Sequence, residues 1–283
     1  MGGLLGRALD HYRSNGLLAT IRRSLRFVFG YVRHGLGKRG FYRSRAYRWL
    51  LIQANTGLQR HSALADPFKI LYVQPDVIRH TTGRGPFPGR LQWQDIGRVQ
   101  GGGWDRSEQS FEELPVVTLL QERFAEGKEW SEINDMERII FGGGLEGFES
   151  NQGSDPEVLR KCKQIDELFD NIRDHGYLQR DELIAMGEES PDKFTIGDEF
   201  NRFNEIAVDI GRDGEFLFVD GRHRLAFAKI LNVDEIPVRI VARHKQWQRI
   251  REMVAATDDP ETLPTEIRNH LEHPDLDDVK NGL

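Results

Sequence analysis

The sequence predicts an α+β protein, and three observations carry that prediction. Ile206–Ile210 and Glu215–Val219 alternate around Gly211-Arg212-Asp213-Gly214, the pattern of a β-hairpin. The second of these strands, Phe216-Leu217-Phe218-Val219, stops at Asp220-Gly221, and a helical pattern opens at once with Arg222-His223-Arg224. Amphipathic stretches of helical length occur upstream, over 114–126, 129–140 and 156–175.

Each element follows from local chemistry. Phe68–Val73 is apolar and β-rich and is closed by Pro75, so it reads as a short strand. A Gly/Pro-rich loop, Thr81–Gly89, holds Arg84 and precedes Arg90. Ile96–Val99 leads into Gly101-Gly102-Gly103-Trp104-Asp105, a loop in which the backbone turns tightly or approaches a partner. Trp104 and Asp105 are thereby a second candidate site, a stacking ring beside a carboxylate able to hold a hydroxyl or a metal. The alternative is a wrapped loop around a packed tryptophan. Phe141-Gly142-Gly143-Gly144 stops the 129–140 helix, and the polar stretch 145–157 is the best boundary between segments. Pro156 suits the first turn of the next helix and Gly176 its end. Thr195–Asn204 reads as a loop, and Ile236-Pro237-Val238 as a further strand.

Charge divides the chain. Residues 1–60 carry twelve Lys/Arg against Asp10 alone, a net +11, while the remainder, with 27 basic and 44 acidic residues, stands at −17. Within 17–33, Ile21, Leu25, Val28 and Val32 recur at helical spacing with Arg22, Arg26 and Arg33 on other faces. A second basic, aromatic stretch runs from Phe41 to Trp49. Such a segment, 17–49, packs on the protein's own acidic surface, lies on an anionic membrane, or binds nucleic acid. The organisation expected is a basic N-terminal arm (1–60), an α/β region (61–150), a mixed C-terminal domain (155–250) and an acidic, peripheral tail (251–283). From Asp258 onward that tail carries eight acids and three prolines.

No apolar run approaches the ~18 residues that would span a bilayer, and the start lacks the h-region of a secretory signal. One cysteine, Cys162, excludes a disulfide framework and suits a reducing compartment. A cytoplasmic location, peripheral to a membrane if the arm binds lipid, is the expectation. No P-loop spacing is present.

The chemistry concentrates at Asp220-Gly221-Arg222-His223-Arg224. A helix start presents N–H groups and partial positive charge. Glycine permits close backbone approach, and arginines grip phosphate oxygens in bidentate fashion. His223 can donate to a phosphate or act as acid or base, and Asp220 is placed to hold Mg²⁺ or take a hydroxyl proton. The competing reading pairs Arg222 and Arg224 with Asp220, Asp234 or Glu235 as a structural corner.

The strand, the G-x-x-R motif opening a helix and the following Ile236-Pro237-Val238 resemble the ParB/sulfiredoxin fold, as does the helix Asp166–His175 running into Gly176-Tyr177-Leu178. The resemblance covers roughly residues 160–245. It discriminates among activities. Sulfiredoxins carry a reactive cysteine where Arg222 stands, so reductase chemistry is not expected. ParB partition proteins continue with E-N-x-x-R and a helix-turn-helix; neither follows here, and the 38 residues after Lys245 are acidic. Small-molecule kinases that phosphorylate free serine carry D-G-H-H-R, close to Asp220–Arg224. That resemblance implies a nucleoside triphosphate or diphosphate with Mg²⁺, Asp220 and His223 nearest the transferred group, Arg222 and Arg224 on the nucleotide, and an unidentified small-molecule substrate. Glu167 and Glu205 are both candidates for a catalytic carboxylate. The alternative is a non-enzymatic module that binds nucleic acid, as ParB does, or an anionic membrane through the arm.

Overall fold

The computed structural model describes residue 55 and residues 61–67, 69–84, 95–136, 140, 155–179, 182 and 205–280, all within one compact unit. The arm segment 17–49, Arg90, the helix stop Phe141–Gly144, all but the last three residues of the 145–157 bridge and the Thr195–Asn204 loop lie outside the described residues.

The chain forms a mixed α/β structure around one mixed sheet. Its strands are β1 (Ile70–Val73), β2 (His80–Thr81), β3 (Arg98–Gln100), β4 (Ile206–Ile210), β5 (Phe216–Asp220) and β6 (Ile236–His244). The order is β1-β6-β4-β5-β2, with β3 alongside β6. β4 and β5 are the expected antiparallel hairpin, while β4 runs parallel to β6. β6 is the hub. All nine of its residues are buried, and it pairs with β1, β3 and β4. A strand enclosed this way reads as a continuous apolar run, as Ile236–Ala242 nearly does.

The helices are α1 (Pro115–Phe124), α2 (Asp155–His175), α3 (Arg222–Ile230), α4 (Lys245–Ala255) and the short α5 (Thr265–Arg268). Pro115 opens α1, where a missing N–H costs nothing. Gly176, with φ of +77°, follows the end of α2. Alternate residues Ile206, Val208 and Ile210, with Phe216, Phe218, Ile236, Val238 and Ile240, join the main core with α1, α2 and α3. Phe124 stacks on Phe169 at 4.2 Å between ring centroids, and Phe227 meets Phe124 edge-on at 5.1 Å. α3 is thus clamped between α1 and α2. Ala207, Val219 and Val241 form a separate small cluster. Among the described residues no helix is long and apolar enough to cross a membrane.

Three expectations change. The sequence divides 61–150 from 155–250, whereas β1, β2 and β3 pair with β5 and β6 in one sheet. The helix expected over Glu129–Ile140 begins instead as a 3₁₀ turn, Trp130–Glu132, closed by the Glu132 carboxylate accepting from the Glu129 N–H (2.8 Å). Asp135 then breaks helical geometry with φ of +55°, and helical residues recur at Met136 and Ile140. Finally, the acidic tail is not peripheral. Leu263, Ile267, Leu276 and Val279 enter the main core. Asp275 is fully buried; it accepts from Arg243 Nε and Trp247 Nε1, both at 2.9 Å, and lies 3.3 Å from Arg251 Nη1. Burial alone would raise the Asp275 carboxyl, but these cations and donors hold it well below the usual carboxylate range.

Removing one member of a buried ion network leaves its partners charged in a low-dielectric interior. Asp275→Ala is therefore expected to destabilise the protein by about 3–5 kcal/mol, read as a shift in urea midpoint. An unchanged midpoint would show that the tail is dispensable to the core.

Candidate functional site

The glycine corner between β5 and α3 is built from three local constraints. β5 is buried from Phe216 to Val219, and its last residue, Asp220, is exposed. The ladder slips here: Ala207 pairs with Asp220 but Val208 with Phe218, a bulge that leaves Val219 as the extra residue between two pairs. Bulges re-aim side chains at strand ends, and this one delivers Asp220 to the surface. Gly221 then takes φ of +96° as the residue preceding α3. A Cβ there would lie 3.1 Å from Ile206 Cα, so glycine is required both by conformation and by the closeness of β4. The Gly221 position brings no side-chain cap to α3. Asp220 turns back on its own corner, accepting from the Gly221 N–H at 2.8 Å.

The first turn of α3 carries the three predicted residues Arg222, His223 and Arg224, all half-buried. Arg224 Nη1 lies 3.5 Å from Glu205 Oε2, and the Tyr177 hydroxyl lies 3.5 Å from the same oxygen. Glu205, just before β4, has a side chain only 2% exposed. Burial raises the Tyr177 phenol far above its ordinary value, so it stays a neutral donor. Arg239 enters from β6. It pairs in register with Ala207, which in turn pairs with Asp220, so the three form a row across the sheet. Arg239 is buried; that burial lowers its pKa to about 10, with Asp220 and Glu205 opposing the drop and Arg224 adding to it. Arg222 is lowered by burial against the opposing charge of Asp220.

His223 reports the field of this cluster. Burial first, then the positive charges of Arg222, Lys161 and Arg224, lower its pKa to about 4. It is therefore neutral at pH 7, a hydrogen-bonding imidazole amid cations.

The structure joins Asp220, Gly221, Arg222, His223 and Arg224 at one corner, and it leaves Trp104 and Asp105 at the opposite end of β5. Asp105 accepts from the Arg212 backbone N–H (2.9 Å), Nε (2.7 Å) and Nη2 (2.7 Å) at the hairpin turn. Burial would raise Asp105, but the Arg212 bonds and His244 bring it to about 2. Trp104 lies 5.7 Å from the His244 ring and under Arg84. These are the contacts of a wrapped loop with a packed tryptophan. Of the two candidate carboxylates, Glu167 is exposed on α2 and pairs with Lys163 at 3.4 Å, whereas Glu205 stands against Arg224. Cys162 is buried on α2, with its thiol 3.7 Å from the Met136 sulfur. Asp234 and Glu235, the other acids weighed as partners for the arginines, are exposed between α3 and β6.

Sequence reasoning missed Arg239, Tyr177 and Lys161 as neighbours of this corner. A signal for Arg239 existed: a lone charge between Val238 and Ile240, inside an apolar strand, must meet compensating charge.

Mg²⁺ is implied by the resemblance. The exposed Asp220 carboxylate could supply one of the few protein oxygens that Mg²⁺ takes, though among the described residues no cluster of three or more metal-ligating side chains stands with it.

Comparisons of the chain with protein-family models, with curated proteins and with solved structures return no match.

His223 and His273 together fix a pH dependence. His273 is also lowered to about 4, first by burial, with His270 and Arg243 assisting and Asp275 and the Gly214 carbonyl opposing. The unfolded chain binds a proton at each ring near the ordinary value of 6.5, while the folded chain resists until about 4. The unfolded state thus holds more protons across that window, so stability is expected to fall as pH drops from 6.5 towards 4. The slope is about 1.4 kcal/mol per pH unit for each fully linked proton. Urea unfolding across that range should show it, and His223→Gln with His273→Gln should flatten it. An undiminished slope in the double variant would assign the dependence to other groups.

Proposed function

We propose that the chain binds a nucleotide by its phosphates at the Gly221 corner and performs phosphoryl transfer or nucleotide hydrolysis on a small substrate. The observation that carries this reading is the gathering of Arg222, Arg224 and neutral His223 in the first turn of α3, just after Gly221, with buried Arg239 of β6 in the same field. Phosphate chemistry needs this combination: positive charge preorganised in a partly dry site, and backbone N–H groups that can be approached closely. We read the hairpin, glycine corner, α3 and Ile-Pro-Val strand as a ParB/sulfiredoxin-like arrangement. Their order along the chain supports that, and Arg222 at the position of the reactive cysteine argues against reductase chemistry.

In this reading Arg222 and Arg224 hold phosphate oxygens, and Arg239 adds positive potential from beneath. Neutral His223 donates a hydrogen bond to the transferred group; once a dianionic phosphate offsets the surrounding cations, its basicity rises and it can carry a proton. Asp220 would hold Mg²⁺, which supplies charge neutralisation to the phosphates. Asp220 is also the exposed acceptor for a substrate hydroxyl proton.

Arg224→Ala should remove nucleotide-induced thermal stabilisation in a folded protein. Losing one charge-assisted bidentate contact costs roughly 2–3 kcal/mol, or about 30- to 150-fold in affinity. Unchanged affinity would sink the assignment.

Asp220→Asn should keep much of the nucleotide binding while greatly reducing turnover, because an amide neither holds Mg²⁺ well nor accepts a proton. Wild-type turnover in that variant would reduce Asp220 to a turn residue. A protein that binds anions with steep salt dependence, yet converts no nucleotide with any hydroxyl acceptor, would instead be the non-enzymatic module.

A further inference from the structure

We propose that Glu205 is a positioning residue of the anion site, fixing the Arg224 guanidinium from behind while Tyr177 steadies its carboxylate. This rests on the reading of the Gly221 corner as a phosphate site and adds the group that sets its geometry.

Arg224 needs such a group. Its backbone is fixed by the first turn of α3, but its side chain has several freely rotating bonds, and a guanidinium binds phosphate well only when its planar edge is aimed. Glu205 comes from a different element, the residue before β4, and its Oε2 lies 3.5 Å from Arg224 Nη1. Holding one Nη from behind settles the direction of the remaining donors, and the Arg224 side chain is 27% exposed on its open side. Glu205 itself is held. Tyr177, following α2, brings its hydroxyl to the same Oε2 at 3.5 Å, so α2, β4 and α3 meet at one oxygen.

The backbone supports the same role. Ile206, next to Glu205, packs against Gly221 closely enough that a Cβ there would lie 3.1 Å from its Cα. One dipeptide therefore sets both halves of the corner: Ile206 the approach of the backbone, Glu205 the orientation of the arginine. The Glu205 side chain is only 2% exposed, whereas that of Arg224 is 27% exposed. A carboxylate in contact with the ligand would also repel phosphate, so Glu205 acts through Arg224 and does not touch the anion.

Calorimetric titration of the full chain with inorganic pyrophosphate, the anionic part of a nucleotide, tests this. Glu205→Ala should weaken binding roughly tenfold, the effect of one charge-assisted hydrogen bond. Glu205→Gln, which keeps an acceptor oxygen for Arg224, should stay within about threefold of wild type. Tyr177→Phe should weaken binding about two- to threefold, because the phenol acts on the anion only through the groups it holds. Combined with Arg224→Ala, Glu205→Ala should add no further loss, because a positioning residue has nothing left to position. The proposal is overturned if Glu205→Ala binds pyrophosphate as tightly as wild type or tighter, or if its loss multiplies with that of Arg224→Ala. Should Glu205→Ala fail to fold, unchanged affinity in Tyr177→Phe overturns it. If Arg224→Ala alone leaves pyrophosphate binding intact, the phosphate reading of the corner fails and this inference falls with it, whereas loss in Arg224→Ala beside a neutral Glu205→Ala removes the inference alone.

Discussion

Charge buried against β6 is the constraint on which the rest of the structure depends. Of the two arginines on this enclosed nine-residue strand, Arg239 is buried in the field of Asp220 and Glu205. At one end, Arg243 receives Asp275 from the C-terminal segment. At the β4 irregularity, the Ala242 N–H donates to Asp209 (3.0 Å), and Arg84 closes on that carboxylate with Nε at 2.7 Å and Nη2 at 3.0 Å. Thr82 adds a hydroxyl donor at 2.7 Å, and Asp95 links Arg84 to Arg98. Each of these pairs ties a segment distant in sequence to the sheet. Their energetic role is partly coercive, since a buried partner left alone would be far worse than the pair.

The Gly221 corner follows a different geometry. Arg84 and Arg243 make short contacts to their carboxylates, while Arg224 meets Glu205 at 3.5 Å from a partly exposed position. Short, doubly bonded pairs have their donors committed. A longer contact, with Tyr177 also interacting with the guanidinium, leaves Arg224 less tightly committed than those two. The scaffold beneath is stiff: Phe227 on α3 packs against Phe124 and Phe169, so the helix that carries this first turn is held from two sides. Binding at such a corner requires little further ordering of the protein.

How much of this is legible in the sequence depends on the range of the forces. The β4–β5 hairpin, the 156–175 helix with its glycine stop and the Gly221 corner all follow from turn chemistry and periodicity within twenty residues. The tail defeats a sequence reading because its eight acids mask four apolar side chains, Leu263, Ile267, Leu276 and Val279, whose helical spacings (263/267 and 276/279) are cut into short pieces by Pro264 and Pro274. The Glu129–Ile140 pattern is helical in composition, but Asp135 adopts a left-handed conformation that composition does not encode. Arg239 stands out as an anomaly in an apolar strand, yet its neighbours depend on a register that aligns positions 239, 207 and 220. No local rule supplies that register.

The two ends of β5 show how one short strand separates structural from chemical duty. At the hairpin end, Asp105 takes three donors from Arg212, and the glycine-rich loop that resembles a second site in sequence is fastened to the turn. At the other end the bulge brings Asp220 to the surface, Gly221 takes φ of +96°, and Arg224 in the first turn of α3 meets Glu205 at longer range. A five-residue strand, buried over its first four positions, holds the two apart. The Gly221 corner therefore keeps its charges at longer range, while the ion pairs at the far end and along β6 are committed to the fold.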